Sequence, residues 1–193
     1  MTCSAPDDEQ DATLILGMIE LLVPRDDLNR IKIIRDDIDY IWAKPRETRQ
    51  GHRKRSAGAW WSPEAVGLKD QKRTVGRAGA VVGTTGEHVV PMRVVGERLL
   101  DLARAGRLTG TAPLLRLLRL PMAVVTVAED MRLRRQHMPP GWTFDGAETD
   151  WDVQIWARYT EAGLPVGDFR QMGGGVVDGP LPHRPHTSSL PQG

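Results

Sequence analysis

A glutamate and a histidine stand side by side at Glu87 and His88, within the stretch TTGEHVVPMRVV that spans residues 84–95. The proline at Pro91 favours the first turn of a helix, so the sequence places both side chains beside a helix N-terminus. The partial positive charge there favours an ionised Glu87 and a neutral His88 imidazole, the form that a general base or a metal ligand requires. We therefore predict Glu87 and His88 as candidate catalytic residues, with His88 as the candidate metal ligand.

The string Glu-His-Val-Val-Pro at residues 87–91 resembles the first motif of the HNH-type endonucleases. The resemblance implies hydrolysis of a phosphodiester, a divalent metal cofactor, and activation of water by His88. In that family a Gly-rich hairpin, an Asn and then a His on the following helix complete the metal site. Here a helix follows Pro91 directly and the next histidine is His137, so the resemblance covers five residues. The competing interpretation is structural, with Glu87 stabilising a helix start and the two valines packing on the core.

Positive charge is most concentrated in residues 44–77, which hold ten basic and three acidic side chains. Clustered cations neutralise phosphates, and a neighbouring indole can stack on an unpaired base. We predict that this segment contacts nucleic acid, and the candidate binding residues are Arg46, Arg49, Arg53, Lys54, Arg55, Trp60, Trp61, Lys72, Arg73 and Arg77. The alternative interpretation is a solvated loop followed by two tryptophans that anchor the core.

Acidic charge dominates the N-terminal part of the chain, although the net charge of the whole chain is only +1. Residues 1–43 hold ten acidic and four basic side chains. Patches of opposite sign allow self-association or binding of a protein partner. Three function classes therefore remain: a nucleic-acid-contacting protein, a metal-dependent nuclease that uses Glu87 and His88, and a protein interaction module without catalysis.

Cysteine content and hydropathy bear on the compartment. The only cysteine is Cys3, so no disulfide and no cysteine zinc site can form within one chain. The N-terminal sequence MTCSAPDDEQD lacks the basic and apolar regions of a signal peptide, and no apolar run approaches the length of a membrane span. We predict a cytoplasmic protein that has no membrane partner. A divalent metal is the only cofactor predicted, and only if the protein is a nuclease.

Two amphipathic segments open the chain ahead of the charged segment. Apolar residues recur at helical spacing in residues 11–23 and again in residues 26–42, with Pro24 between them. So short a link predicts an antiparallel helical hairpin. We divide the chain into five parts. They are a flexible N-terminus (1–10), this acidic hairpin (11–43), a basic loop or arm (44–58), a main helical domain with short strands (59–170) and a disordered tail (171–193).

The main domain is predicted to contain several helices and one clear strand. Ser62 and Pro63 suit an N-cap and a first helical position. Further helices are predicted from Pro91 to just before Gly106, over residues 112–120, from the capping box at Thr126 to about Gln136, and from a second capping box at Thr149 to Gly163. Residues 122–127, MAVVTV, are the strand candidate. The predicted fold class is mostly α, or α+β with a few short strands.

Overall fold

The computed structural model describes residues 6–24, 30–38, 59–71, 74–75, 80–144 and 154–171. These residues form a helix-rich fold with a small sheet, as the hydrophobic periodicity predicts. The helices are α1 (Pro6–Leu22), α2 (Arg30–Asp37), α3 (Pro63–Asp70), α4 (Met92–Arg104), α5 (Thr111–Leu118), α6 (Val127–Asp130) and α7 (Ala157–Glu161). The strands are β1 (Trp60–Trp61), β2 (Thr74–Val75), β3 (Ala80–Val81), β4 (Thr84–His88), β5 (Met122–Thr126) and β6 (Arg170–Gln171).

The main sheet has the strand order β4-β5-β1-β6. Strand β5 confirms the predicted strand, and its central residues Ala123, Val124 and Val125 are fully buried because it lies inside the sheet. It pairs in parallel with β1 and antiparallel with β4. Strand β4 was not predicted, because TTGEH has little apolar character and its formation depends on pairing with β5. Strands β2 and β3 form a separate antiparallel pair.

Helices α1 and α2 contact each other and supply part of the core, which includes Ile15 and Ile19 from α1 and Ile34 from α2. The link at residues 25–29 lies outside the described ranges, so the antiparallel hairpin stays a prediction. Helix α1 begins at Pro6, earlier than the predicted start at residue 11. Two side-chain contacts with the region of α5 hold this early start, since Asp8 pairs with Arg119 and Glu9 accepts a hydrogen bond from Thr111.

Helix α4 confirms the predicted helix at Pro91, which is its N-cap residue, and Gly106 follows its end with φ at 64°. A left-handed conformation suits glycine and reverses the chain here. Helix α2 approaches α4 closely at Gly96, where an added Cβ would lie 3.5 Å from the Cγ2 of Ile31. This crossing places one face of α2 over the beginning of α4.

Helix α6 starts at the predicted capping box but ends at Asp130, well before the predicted end near Gln136. The amide nitrogens of Arg132 and Leu133 bond the carbonyl oxygens three residues back, which is the tighter pattern of a helix end. The segment after α6 then turns so that Leu133 is buried. Helix α7 begins at Ala157, after a turn that separates it from the helical residue Gln154, and the predicted capping box at residues 149–152 lies outside the described residues.

An aromatic cluster fills the core beside the sheet. The ring of Trp156 makes edge contacts with Trp60, Tyr159 and Phe169 at centroid distances of 6.3, 5.3 and 5.6 Å. Edge-to-face packing of this kind adds roughly 0.5 to 1.5 kcal/mol per pair beyond burial. It anchors α7 against β1. Within the described ranges, no helix combines the length and the apolar character needed to cross a membrane.

Candidate functional site

An open cleft with a volume of about 690 Å³ lies where α2, the start of α4, the end of β4 and the region after α6 meet. Most of its lining side chains are charged. The lining residues are Ile31, Lys32, Arg35, Glu87, Pro91, Met92, Arg93, Asp130, Arg135 and Gln136. Four cations and two carboxylates therefore share one space, although they come from separate parts of the chain.

Glu87 is one of the two carboxylates in the cleft and lies near the end of β4, opposite Ala123 of β5. Burial and the charge of Asp130 raise the pKa of its carboxyl, and they outweigh Arg158 and Arg135, which act in the opposite direction. The sequence led us to expect a field that keeps Glu87 ionised. In the structure, burial and the second carboxylate act against that field and have the larger effect on the pKa of Glu87.

His88 follows Glu87 in β4, and successive side chains of a strand point to opposite faces. Among the described residues, the cleft lining includes Glu87 but not His88. The histidine side chain is half-buried, and its backbone carbonyl oxygen accepts a hydrogen bond from Arg158. The strand therefore does not bring the predicted pair together on one face.

Asp130 supplies the second carboxylate, and the fold around α6 fixes its position. The capping box is complete, since Thr126 Oγ1 accepts from the Glu129 nitrogen while Glu129 Oε2 accepts from the Thr126 nitrogen. Glu129 Oε2 also accepts a hydrogen bond of 2.7 Å from Ser62 Oγ, and Ser62 in turn caps α3. Hydrogen bonds thus join the start of α6 to the end of β5 and to the N-cap of α3. This holds Asp130 at the cleft.

The cations of the cleft come from three places. Lys32 and Arg35 lie on α2, Arg93 lies in the first turn of α4, and Arg135 follows α6. Arg93 also bonds Glu97 at 3.0 Å and the side-chain oxygen of Gln136 at 3.3 Å. These contacts restrain the guanidinium of Arg93 in the lining of the cleft.

Helix α4 presents its N-terminus to the same cleft, because Pro91, Met92 and Arg93 all line it. Its N-cap is Pro91, which makes no side-chain capping hydrogen bond. The first backbone N–H groups of a helix and its dipole favour an anion. The N-terminus of α4 and the four cations therefore both favour an anion in the cleft.

Arg158 of α7 lies behind the cleft with only 1% of its area exposed. Its Nε donates to the carbonyl oxygen of Val89 at 3.0 Å, and its Nη1 donates to that of Arg134 at 2.7 Å. Its Nη2 donates to the carbonyl oxygen of His88 and lies 3.6 Å from Glu87 Oε2. Sequence reasoning missed this residue, and no local pattern marks it.

Comparisons of the chain with protein-family models, with curated proteins and with solved structures found no match. Its function is therefore inferred from the chemistry of the cleft.

Of the predicted nucleic-acid-binding residues, the structure describes Trp60 and Trp61. Trp60 and Trp61 are 4% and 5% exposed, so both indoles belong to the core, and Lys69 lies over the Trp61 ring at 5.1 Å. Such burial fits core anchors better than platforms on which a base stacks. The other members of the predicted set lie outside the described residues, namely Arg46, Arg49, Arg53, Lys54, Arg55, Lys72, Arg73 and Arg77.

The described residues contain no group of three or more His, Cys, Asp or Glu side chains that could hold a metal ion. Glu87 and Asp130 form a pair of oxygen donors in the cleft. Magnesium is commonly bound by one or two carboxylates together with substrate phosphates and water. The donor set therefore suits magnesium or manganese with a phosphate ligand present, and it does not suit a closed zinc site.

The four cleft cations and the acid Asp130 were also not predicted from the sequence. None of them stands in a sequence motif that marks a functional site. These residues belong to separate segments, namely α2, the start of α4 and the region around α6, and the packing of α2 on α4 and of α6 on β4 brings the segments together.

Proposed function

We propose that the protein contacts nucleic acid and that the cleft binds phosphate groups of its backbone. The observation that carries this proposal is the convergence of four cations from separate segments on one open cleft, at the N-terminus of α4. Arginine is well suited to phosphate because its planar fork makes two parallel hydrogen bonds. Three of the four cleft cations are arginines.

The basic segment at residues 44–58 extends the same proposal. It holds six cations and a single acid, Glu47, and follows α2 in the chain. Helix α2, which precedes it in the chain, carries Lys32 and Arg35 of the cleft. We propose that the basic segment binds neighbouring phosphates of the same nucleic acid.

Fluorescence anisotropy with labelled single-stranded and duplex oligonucleotides tests this proposal. Replacing Lys32 and Arg135 together by alanine should weaken binding by about tenfold, as expected for two partly exposed charges worth up to about 1 kcal/mol each. The matched control replaces two exposed arginines outside the cleft, Arg107 and Arg116, and should change affinity less than twofold. Equal losses in the two double variants would show that binding depends on total charge and not on the cleft.

A second candidate function is metal-dependent hydrolysis of a phosphodiester in the same cleft. The specific observation that favours it is the position of Asp130 beside Glu87, among cations suited to phosphate. The resemblance of residues 87–91 to the HNH-type first motif leads one to expect a further ligand on a following helix. Strand β4 pairs antiparallel with β5, α6 follows β5 directly, and α6 brings Asp130 rather than a histidine to the cleft.

In this second candidate, the carboxylates of Glu87 and Asp130 would hold a magnesium or manganese ion together with the phosphate. Such an ion would supply Lewis-acid chemistry at the phosphoryl group. Arg135 and Arg93 hold the non-bridging oxygens and balance their charge. His88 stays a candidate general base, as the sequence predicts, and it reaches the substrate only if the ligand extends past the edge of β4.

Incubation with plasmid DNA and structured RNA in magnesium, manganese or zinc, with a chelator as the blank, tests the hydrolase. Cleavage should require magnesium or manganese and should be lost in Glu87→Gln and Asp130→Asn. The control is Asp101→Asn, an exposed acid of α4 outside the cleft, which should cleave like the wild type. Equal cleavage by all four proteins would remove Glu87 and Asp130 from the chemistry, and His88→Ala decides the role of the histidine in the same way.

Location and assembly complete the proposal. We infer a cytoplasmic location from the single cysteine, Cys3, which fits a reducing compartment. Self-association through patches of opposite charge is the remaining alternative. Light scattering over a salt series tests it, since a charge-driven dimer should dissociate as salt rises.

A further inference from the structure

Arg158 is a fully buried cation whose role the cleft chemistry does not explain. Its side chain is 1% exposed, and transferring a guanidinium into a protein interior is costly unless its N–H groups are hydrogen-bonded. Most of its partners are backbone carbonyl oxygens. The nearest carboxylate oxygen, Glu87 Oε2, is 3.6 Å away, which is longer than a direct hydrogen bond of this type.

The carbonyl partners of Arg158 belong to two different walls of the cleft. His88 is the last residue of β4 and Val89 begins the turn to α4, so both lie between the lining residues Glu87 and Pro91. Arg134 lies in the other wall, directly before the lining residues Arg135 and Gln136. One guanidinium therefore bonds both walls at distances no longer than 3.0 Å.

This arrangement depends on the shape of the arginine fork. Five N–H donors in one plane reach several fixed acceptors at once, and an ammonium cannot make the same set of directed bonds. The plane of Arg158 is also held by its contact with the Tyr159 ring, whose centroid is 5.2 Å from Cζ. Arg158 touches neither the open space of the cleft nor any residue of α2 among the contacts described.

We propose that Arg158 is a positioning residue that ties the two walls of the cleft together and so sets the spacing between Glu87 and Arg135. The inference rests on the proposed function for its ligand, which is a nucleic acid phosphate. It predicts that weakening this tie loosens the walls and lowers affinity, even where the rest of the fold keeps its stability. Replacing residues that orient the ligands of a metal typically lowers metal affinity by about 10-fold to 100-fold, and we expect an effect of the same order on phosphate binding here.

The test uses Arg158→Lys, which keeps the charge but loses the fork, and Tyr159→Phe as the matched control. Tyr159→Phe keeps the ring and removes only the longest hydrogen bond of Arg158, the 3.5 Å bond to the phenol oxygen. Hydrogen exchange is measured at residues 88–95 and 134–138 and, for reference, in α5. The urea unfolding free energy of each variant is measured in parallel.

In Arg158→Lys, amides of the two walls should exchange at least tenfold faster relative to those of α5, and affinity for a labelled oligonucleotide should fall about tenfold or more. Tyr159→Phe should leave both quantities within twofold of the wild type. A uniform loss of protection that follows the global unfolding free energy would overturn the proposal, because Arg158 would then be an ordinary core residue.

A measurement on the unaltered protein keeps the proposal testable if Arg158→Lys does not fold. In nitrogen-15 spectra of arginine side chains, the Nη protons of Arg158 should be resolved, slow to exchange with water and restricted in rotation. Rapid rotation and exchange would show that the guanidinium does not hold the walls, and would overturn the proposal.

The exchange and side-chain measurements need no nucleic acid, so they separate the two claims. If the wild type binds no oligonucleotide but the walls loosen in Arg158→Lys, the proposed function fails and the positioning role stands. If the wild type binds and the walls do not loosen, the positioning role fails alone.

Discussion

Replacing Ser62 by alanine should destabilise the fold by about 3 kcal/mol, because one buried hydroxyl serves two partners. Ser62 Oγ accepts a hydrogen bond of 3.1 Å from the Ala65 nitrogen, and loss of such an N-cap costs about 1 kcal/mol. The same hydroxyl donates at 2.7 Å to Glu129 Oε2, and hydrogen bonds to charged groups are worth about 1.5 to 3 kcal/mol. The Glu129 side chain is 5% exposed, so water cannot easily replace the lost donor.

A double-mutant cycle of Ser62→Ala and Glu129→Ala isolates the bond between the two side chains. Urea unfolding followed by tryptophan fluorescence gives the four free energies, and the coupling energy should be at least about 1.5 kcal/mol. The matched control is Thr13→Ala, which removes an exposed hydroxyl bonded to the Glu9 carbonyl oxygen and should cost less than about 0.5 kcal/mol.

Two results would refute this reasoning about Ser62. A coupling energy near zero would mean that Glu129 does not depend on Ser62 for its hydrogen bonding. A loss in Ser62→Ala no larger than that in Thr13→Ala would mean that burial adds nothing to the value of the cap.

Three further predictions concern stability and titration. Gly17→Ala should raise the unfolding free energy by about 1 kcal/mol in urea titrations, because its Cβ would meet nothing within 4 Å and alanine is the better helix former. Burial raises the pKa of Tyr159, so its phenol should stay neutral in the folded protein, which is measured in a Tyr40→Phe background. Stability should therefore fall as pH rises above about 10, where the unfolded chain loses that proton. Ordinary phenol titration without unfolding would contradict this. The hydrogen bond from Arg134 lowers the pKa of Glu161. The contribution of this pair to folding stability is therefore present above the ordinary pKa and is lost as pH falls through the lowered value. Carbon-13 titration of Glu161 should show the ordinary pKa in Arg134→Ala.

Local signals in the sequence predict much of the secondary structure. The Ser62 cap, the α4 helix after Pro91 and the β5 strand were each predicted and are confirmed, because caps, prolines and apolar runs act over a few residues. The capping box at Thr126 was predicted as well, but the length of its helix was wrong. That length depends on how Leu133 reaches the core, which is a tertiary property.

The candidate site was far less predictable than the helices. Glu87 was singled out from its neighbourhood with His88, yet its actual partners in space are Asp130 and Arg158. Residues as far apart in the chain as Glu87, Asp130 and Arg158 share no local sequence pattern. The polar strand β4 forms through its pairing with β5. A buried arginine such as Arg158 also looks like any other helical arginine until its acceptors are known.

The salt dependence of oligonucleotide binding tests the central claim, that the cleft cations neutralise backbone phosphates, most directly. For duplex DNA the slope of log K against log salt should be smaller in magnitude by about 0.9 for each phosphate contact removed, hence by almost two units in the double alanine variant of Lys32 and Arg135. The Arg107 and Arg116 double variant should keep the wild-type slope. An unchanged slope in the cleft variant, or binding by the wild type that does not respond to salt, would contradict the claim.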